Sequence, residues 1–207
     1  MSLTAKPSKG SPPIPGGTYL AICYSVVDLG TQYNEYYHKS APKVAITWEI
    51  PSLRIEYEKD GEKLESPRMI TKTYTNVLHE KSNLWQDLIS WRGKPFTIEE
   101  AKGFDVSKIL GANCILTVIN VEKNGKVFAN VAGVSKLMVG MEKKEPENEL
   151  VQYDISSGVD AIPENVPNWL KDTIKKCEEL ASPTGGEPNP DWIGEDAPPP
   201  TDDDIPF

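Results

Sequence analysis

Asn124-Gly125 lies between two runs rich in β-branched residues, Cys114 to Val121 and Val127 to Leu137, and constrains the fold more than any other dipeptide in the chain. A tight primed turn needs positive φ at its central positions, which Asn tolerates and Gly adopts freely, so the flanking runs pair as antiparallel neighbours. Asp60-Gly61 gives the same signal earlier. It predicts that a strand over Leu53 to Tyr57 returns antiparallel from Leu64 or Arg68 to Thr75. Upstream, Thr18 to Leu29 reads as a first strand with Gly30 as its exit turn, followed by a polar, aromatic loop. Lys43 to Ile50 reads as the start of the second strand. Pro51 has no N–H to give to a ladder, so it marks a bulge or an edge.

Between the third and fourth strands the periodicity changes from two to that of helices. Ser82 is placed to cap a helix through Asn83, Leu84, Trp85, Leu88 and Ile89, with Gly93 to end it. Thr97 and Glu100 form a T-x-x-E capping box for a second short helix, and Asp105 to Leu110 suggests another turn or two before Gly111. Three strands, a helical insertion and two strands match a mainly β fold, a five-stranded oligonucleotide-binding barrel with short helices between strands three and four. A generic antiparallel α+β sheet gives the same order of elements.

The ends read differently from the middle. Residues 1–15 are rich in Ser, Pro and Lys, with little to bury, and are expected to form a flexible arm ahead of a domain over 16–144. Residues 145–181 form an acidic extension. Within it Pro167 to Ala181 is amphipathic, with Leu170, Ile174, Cys177 and Ala181 on one face, and is expected to pack back on the body. Residues 182–207 combine Pro, Gly, Asp and Glu too densely to repay the entropy of ordering, and read as a disordered acidic tail.

The charge is divided in the same way. Met1 to Lys144 carries 19 Lys and Arg against 15 Asp and Glu, whereas Glu145 to Phe207 carries 3 against 16, within a net charge of −9. A mildly basic body suits a polyanion that the acidic end repels. The plainer reading of the end is a solubilising linker.

Several classes are disfavoured. No apolar run approaches the length of a membrane span, and the N-terminus has no apolar stretch behind its lysines, so a cytoplasmic protein is expected. Cys23, Cys114 and Cys177 are widely spaced with no CxxC pair, which favours buried thiols over a metal site. No nucleophile elbow, Walker loop, dinucleotide fingerprint or HExxH spacing is present, so no enzyme activity and no cofactor are expected. A carboxylate-bound Mg²⁺ site of Asp28, Glu49, Glu80 and Asp87 would require a meeting in space that nothing in their spacing dictates.

Nucleic-acid binding fits better, because single-strand binders present rings on which bases stack and cations that follow the phosphates. The loop after the first strand holds Tyr33, Tyr36, Tyr37 and Lys39, close before Lys43, and in an oligonucleotide-binding barrel that loop borders the binding face. Arg54 and Tyr57 on the second strand, and Arg68, Lys72 and Tyr74 on the third, repeat the mixture, as do Lys126 and Phe128 on the fifth. Lys72 shares parity with Tyr74, and Lys126 with Phe128, so each pair presents a ring beside a cation. Arg92 and Lys94 flank the helix stop at Gly93 and are further phosphate candidates. Trp48, Trp85, Trp91 and Phe104 are assigned to packing.

Asp202-Asp203-Asp204-Ile205-Pro206-Phe207 resembles the acidic tip of bacterial and phage single-stranded DNA-binding proteins. The segments VDLGTQ, WEI and WRGKPFT are similar to phage-encoded proteins of replication modules. The resemblance implies sequence-independent single-stranded DNA binding during replication or recombination, in a bacterial host cytoplasm, with oligomers possible. It also implies that replication or recombination proteins dock on the tip: Phe207 enters an apolar pocket, Ile205 and Pro206 fill its groove, and Asp202, Asp203 and Asp204 meet basic residues at the rim. The rival reading is an adaptor or inhibitor whose acidic end mimics nucleic acid.

Overall fold

The computed structural model describes residues 12–59 and 61–181, and its elements follow from the turns. Strand β1 (Gly17–Asn34) turns into β2 (Lys39–Lys59), which turns into β3 (Glu62–Thr75). Helices α1 (Asn83–Arg92) and α2 (Ile98–Lys102) and a 3₁₀ turn at Val106–Ile109 come next, then β4 (Asn113–Lys123) and β5 (Lys126–Ser135). All four pairings among β1 to β5 are antiparallel, in the spatial order β3-β2-β1-β4-β5, and the end strands β3 and β5 approach each other. The result is a curled five-stranded half-barrel, compatible with an oligonucleotide-binding fold.

The local signals act as their chemistry requires. Asn124 and Gly125 take φ of 54° and 72°, and Lys123 pairs with Lys126 across them. Around Pro51 the ladder slips between Ile50 and Arg54, as expected of a residue with no N–H to donate. Ser82 Oγ accepts from Trp85 N at 3.2 Å, and Gly93 ends α1 at φ 67° with its N–H on the Ile89 carbonyl. Thr97 and Glu100 complete both halves of their capping box, at 3.2 and 2.9 Å.

Gly30 is different, because β1 does not end there. The strand bulges between Asp28 and Gly30 and runs on to Asn34, so the polar, aromatic loop expected after Gly30 is confined to the turn at residues 35–38. Asp28 Oδ1 accepts from Gly30 N at 2.9 Å, and Gly30 takes φ 67°. A Cβ at Gly30 would lie 2.8 Å from that of Cys177, so the position needs glycine for its φ and for close packing alike.

One core fills the half-barrel, from Trp48, Ile46, Leu116 and Val134 to Leu84, Leu88 and Trp91 of α1. Trp48 and Trp91 belong to this core and the partly buried Phe104 packs against it, as assigned from sequence, while the partly buried Trp85 sets its ring 4.6 Å from that of Phe96. Ile14, placed in the arm by the sequence, is buried in this core, and its carbonyl accepts from Asn120 Nδ2 at 3.0 Å.

The acidic extension is part of the body. A sixth strand, β6 (Val151–Tyr153), pairs in parallel with Ser25 to Val27, on the edge that β4 leaves after Ile22. The amphipathic segment forms two short helices, α3 (Asn168–Ile174) and α4 (Glu178–Ala181). Leu170, Ile174 and residues of β6 build a second cluster against Tyr24, Val27, Leu29 and Ala45 on the outer face of β1 and β2. Burying a side chain such as Leu170 or Ile174 contributes about 1.5–3 kcal/mol. Cys23, Cys114 and Cys177 are buried free thiols, and burial pushes each of them up from the ordinary thiol range. Among the described residues no helix is long and apolar enough to cross a membrane.

Candidate nucleic-acid interface

The turn between β1 and β2 is built by a side chain. Asn34 Oδ1 accepts from the backbone N–H groups of Tyr36 at 2.9 Å and Tyr37 at 3.1 Å, and His38 closes the turn at φ 50°. Tyr33, Tyr36 and Tyr37 are therefore held outward, 55%, 78% and 41% exposed. The rings of Tyr36 and Tyr37 meet edge to face at 4.9 Å, and Tyr33 Oη lies 3.1 Å from His38 Nδ1. Lys39 is exposed beside them. Three rings and a cation share one tip.

The cations of β2 and β3 are more committed. Lys43 Nζ donates to Thr75 Oγ1 at 2.9 Å. Arg54 pairs with Glu147 at 2.7 Å and Glu65 at 3.7 Å, and the hydrogen bond to Glu147 pushes its pKa up. Arg68 donates to the Pro12 carbonyl. Tyr57 is exposed opposite Leu64, on the face of the hairpin away from Arg54, so Arg54 and Tyr57 do not share a face.

Lys72 and Tyr74 do share a face, but it is the inner one. Tyr74 is 1% exposed, with its Oη on Asp87 Oδ2 of α1 at 2.7 Å, and Lys72 Nζ meets the same oxygen at 3.0 Å. The ammonium also lies 4.9 Å from the Tyr74 ring centroid. Tyr74 has no ring face open to a base, which corrects its placement as a stacking residue. Arg92 is likewise engaged: it pairs with Glu100 and lies over Phe96 at 4.4 Å and Phe104 at 5.4 Å. Lys94 is exposed.

On the β4–β5 hairpin, Lys126 is exposed and Phe128 partly buried. Register places Lys123 opposite Lys126, Val121 opposite Phe128 and Ile119 opposite Asn130, all on one face. Ile119, Val121 and Lys123 are exposed there, and sequence reasoning missed them. The signal was present, because a two-residue turn at Asn124-Gly125 fixes those pairings without a structure.

The outer face of β2 is closed by the extension. Glu49 is fully buried, and its carboxylate accepts from Glu147 N at 2.7 Å, Asn148 N at 3.2 Å and Asn148 Nδ2 at 2.6 Å. With Asp87 on Lys72 and Tyr74, and Asp28 on Gly30, these carboxylates serve separate structural bonds. Among the described residues no three acidic, His or Cys side chains are grouped to hold a metal ion.

The described chain ends beside the tyrosine hairpin. The Glu179 carboxylate accepts from Thr31 N and from Thr31 Oγ1, the latter at 2.6 Å, and Glu178 accepts from Ser40 Oγ. Burial raises the Glu179 pKa, but the bonds from Thr31 outweigh it and hold the group below its ordinary value. Asp202 to Phe207, the expected docking tip, lie outside the described residues.

The chain matches no protein-family model. No curated protein is significantly similar to it either.

Proposed function

We propose that the protein is a non-catalytic binder of single-stranded DNA, with no sequence preference, that acts in replication or recombination. The observation that carries this reading is the outward-held trio Tyr33, Tyr36 and Tyr37 with Lys39, at the β1–β2 turn of a curled five-stranded half-barrel. We read that half-barrel as an oligonucleotide-binding fold, in which the turn borders the ligand face. Exposed rings beside a cation suit stacking with phosphate neutralisation, which every base permits. The Lys123, Lys126, Val121 and Phe128 face of the β4–β5 hairpin offers a second set of the same chemistry.

Partner recruitment through Asp202 to Phe207 is the other half of the reading. Residues 182–207 carry Asp and Glu without Lys or Arg, a composition that competes with a DNA strand for cations. Removing Asp202 to Phe207 should leave DNA affinity equal or tighter while recruitment is lost.

Gel shifts with single-stranded and duplex oligonucleotides over a salt series test the main claim. Binding should favour single strands, ignore sequence and weaken steadily with salt. Absence of binding at low salt, or a preference for duplex, would reject it.

A further inference from the structure

A cavity of about 390 Å³ opens between the end of α1, the 3₁₀ turn at Val106–Ile109 and the chain following β5, and shares no lining residue with the tyrosine hairpin. Trp91, Phe104 and Ile109 give it an apolar wall, and Arg92, Lys108 and Lys143 give it three cations. Among the described residues no carboxylate lines it.

Two features make this more than a dent in the surface. Arg92 Nη1 is buried and has no hydrogen-bond partner among the described residues, although the same guanidinium pairs with Glu100 through Nη2 and lies over Phe96 and Phe104. An unpaired guanidinium donor on a residue that lines the cavity gains a hydrogen bond when the side chain shifts to meet an anionic oxygen. Lys143 is held at the rim by its neighbour: Asn113 Nδ2 donates to the Lys144 carbonyl at 2.9 Å, and Lys144 N donates to Asn113 Oδ1 at 2.8 Å. Three cations and apolar side chains lining one cavity suit a ligand with a phosphate and a flat ring. The volume is within the range of small-molecule sites.

We propose that this cavity binds a nucleoside 5′-phosphate, with the phosphate toward Arg92, Lys108 and Lys143 and the base against the apolar wall. The choice of a nucleotide rests on the single-strand reading, whereas the anion site rests on the geometry alone. The phosphate belongs either to a free nucleotide or to the 5′ end of a strand.

Calorimetric titration of the full chain with thymidine 5′-monophosphate tests it, with thymidine and inorganic phosphate in parallel. Lys108 and Lys143 are exposed, so a Lys108→Glu/Lys143→Glu variant should keep the wild-type melting curve. The nucleotide should bind the wild type more tightly than either fragment does, and at least tenfold more weakly to the variant. Tyr36→Ala/Tyr37→Ala should leave its affinity unchanged. No binding of the nucleotide, equal affinity in the charge-reversed variant, or inorganic phosphate binding as tightly as the nucleotide would overturn the proposal. Oligothymidylate with and without a 5′-phosphate separates the two sources: a tenfold preference for the phosphorylated strand indicates strand ends, and no preference indicates the free nucleotide. Nucleotide binding without oligonucleotide binding would sink the proposed function and leave the cavity standing. Oligonucleotide binding without nucleotide binding would do the reverse.

Discussion

The β1–β2 turn and the inner wall of β3 contain the same ingredients, tyrosine beside lysine, and put them to opposite uses. At the turn, Asn34 ties down the backbone and leaves Tyr36 and Tyr37 in solvent. On β3, Asp87 of α1 draws Lys72 and Tyr74 inward and consumes both polar groups. A ring beside a cation is therefore a candidate for binding only where no internal carboxylate claims the cation and no core claims the ring. Strand parity shows which residues share a face. Which face turns inward is decided by the element that packs on it.

The largest effect that sharpens this comparison is on stability. Tyr74→Ala removes a fully buried ring and should cost about 3–5 kcal/mol, seen as a fall in Tm on the order of 10 °C. Tyr36→Ala and Tyr37→Ala should each change stability by less than about 0.5 kcal/mol. If Tyr74→Ala melted like the wild type, the inward assignment would be broken.

The second effect is on affinity and has the opposite distribution. Each of Tyr36→Ala and Tyr37→Ala should weaken binding to oligothymidylate by about 1–3 kcal/mol per stacked base. Fluorescence anisotropy at fixed salt reads this directly. Unchanged affinity in both would remove the turn from the interface.

Lys123→Gln/Lys126→Gln should act mainly through salt. If both lysines meet phosphate, the slope of log K against log salt should become shallower by about 1.4, from about 0.7 per contact on a single strand. A slope equal to that of the wild type would confine the interface to the β1–β2 turn.

The smallest effect concerns the clip between α4 and that turn. Bonds from Thr31 hold the folded pKa of Glu179 below the ordinary 4.5, so its contribution is present above 4.5 and lost as pH falls through the lower folded value. Amide exchange at Thr31, corrected for intrinsic rate, should rise over that acid range. Glu179→Gln should already show the raised rate at neutral pH.

What the sequence disclosed and what it hid divide along the range of the interactions. Asn124-Gly125, the Thr97–Glu100 box, the Ser82 and Gly93 caps and the slip at Pro51 act within a few residues, and each appears where its chemistry puts it. Gly30 misled because a positive-φ glycine signals a turn and a bulge alike. The distinction depends on Cys177 and Glu179, some 150 residues away, packing against it. β6 spans only Val151–Tyr153 and has no local signature, since the unpaired edge of β1 defines it. Of the candidate site residues, the exposure of Tyr33, Tyr36, Tyr37 and Lys39 could be read from their polar surroundings in sequence. The engagement of Arg54 by Glu147 and of Arg92 by Glu100 and two phenylalanines could not, because each partner comes from a different element.

The most direct test is photo-crosslinking of a single-stranded oligonucleotide carrying 5-iodouracil, with the attachment sites mapped by mass spectrometry. The account predicts attachment at Tyr33, Tyr36 or Tyr37, with a second group at Phe128, and none at Tyr74 or Trp48. Attachment that bypasses the β1–β2 turn, or that falls chiefly on Tyr74, would contradict it.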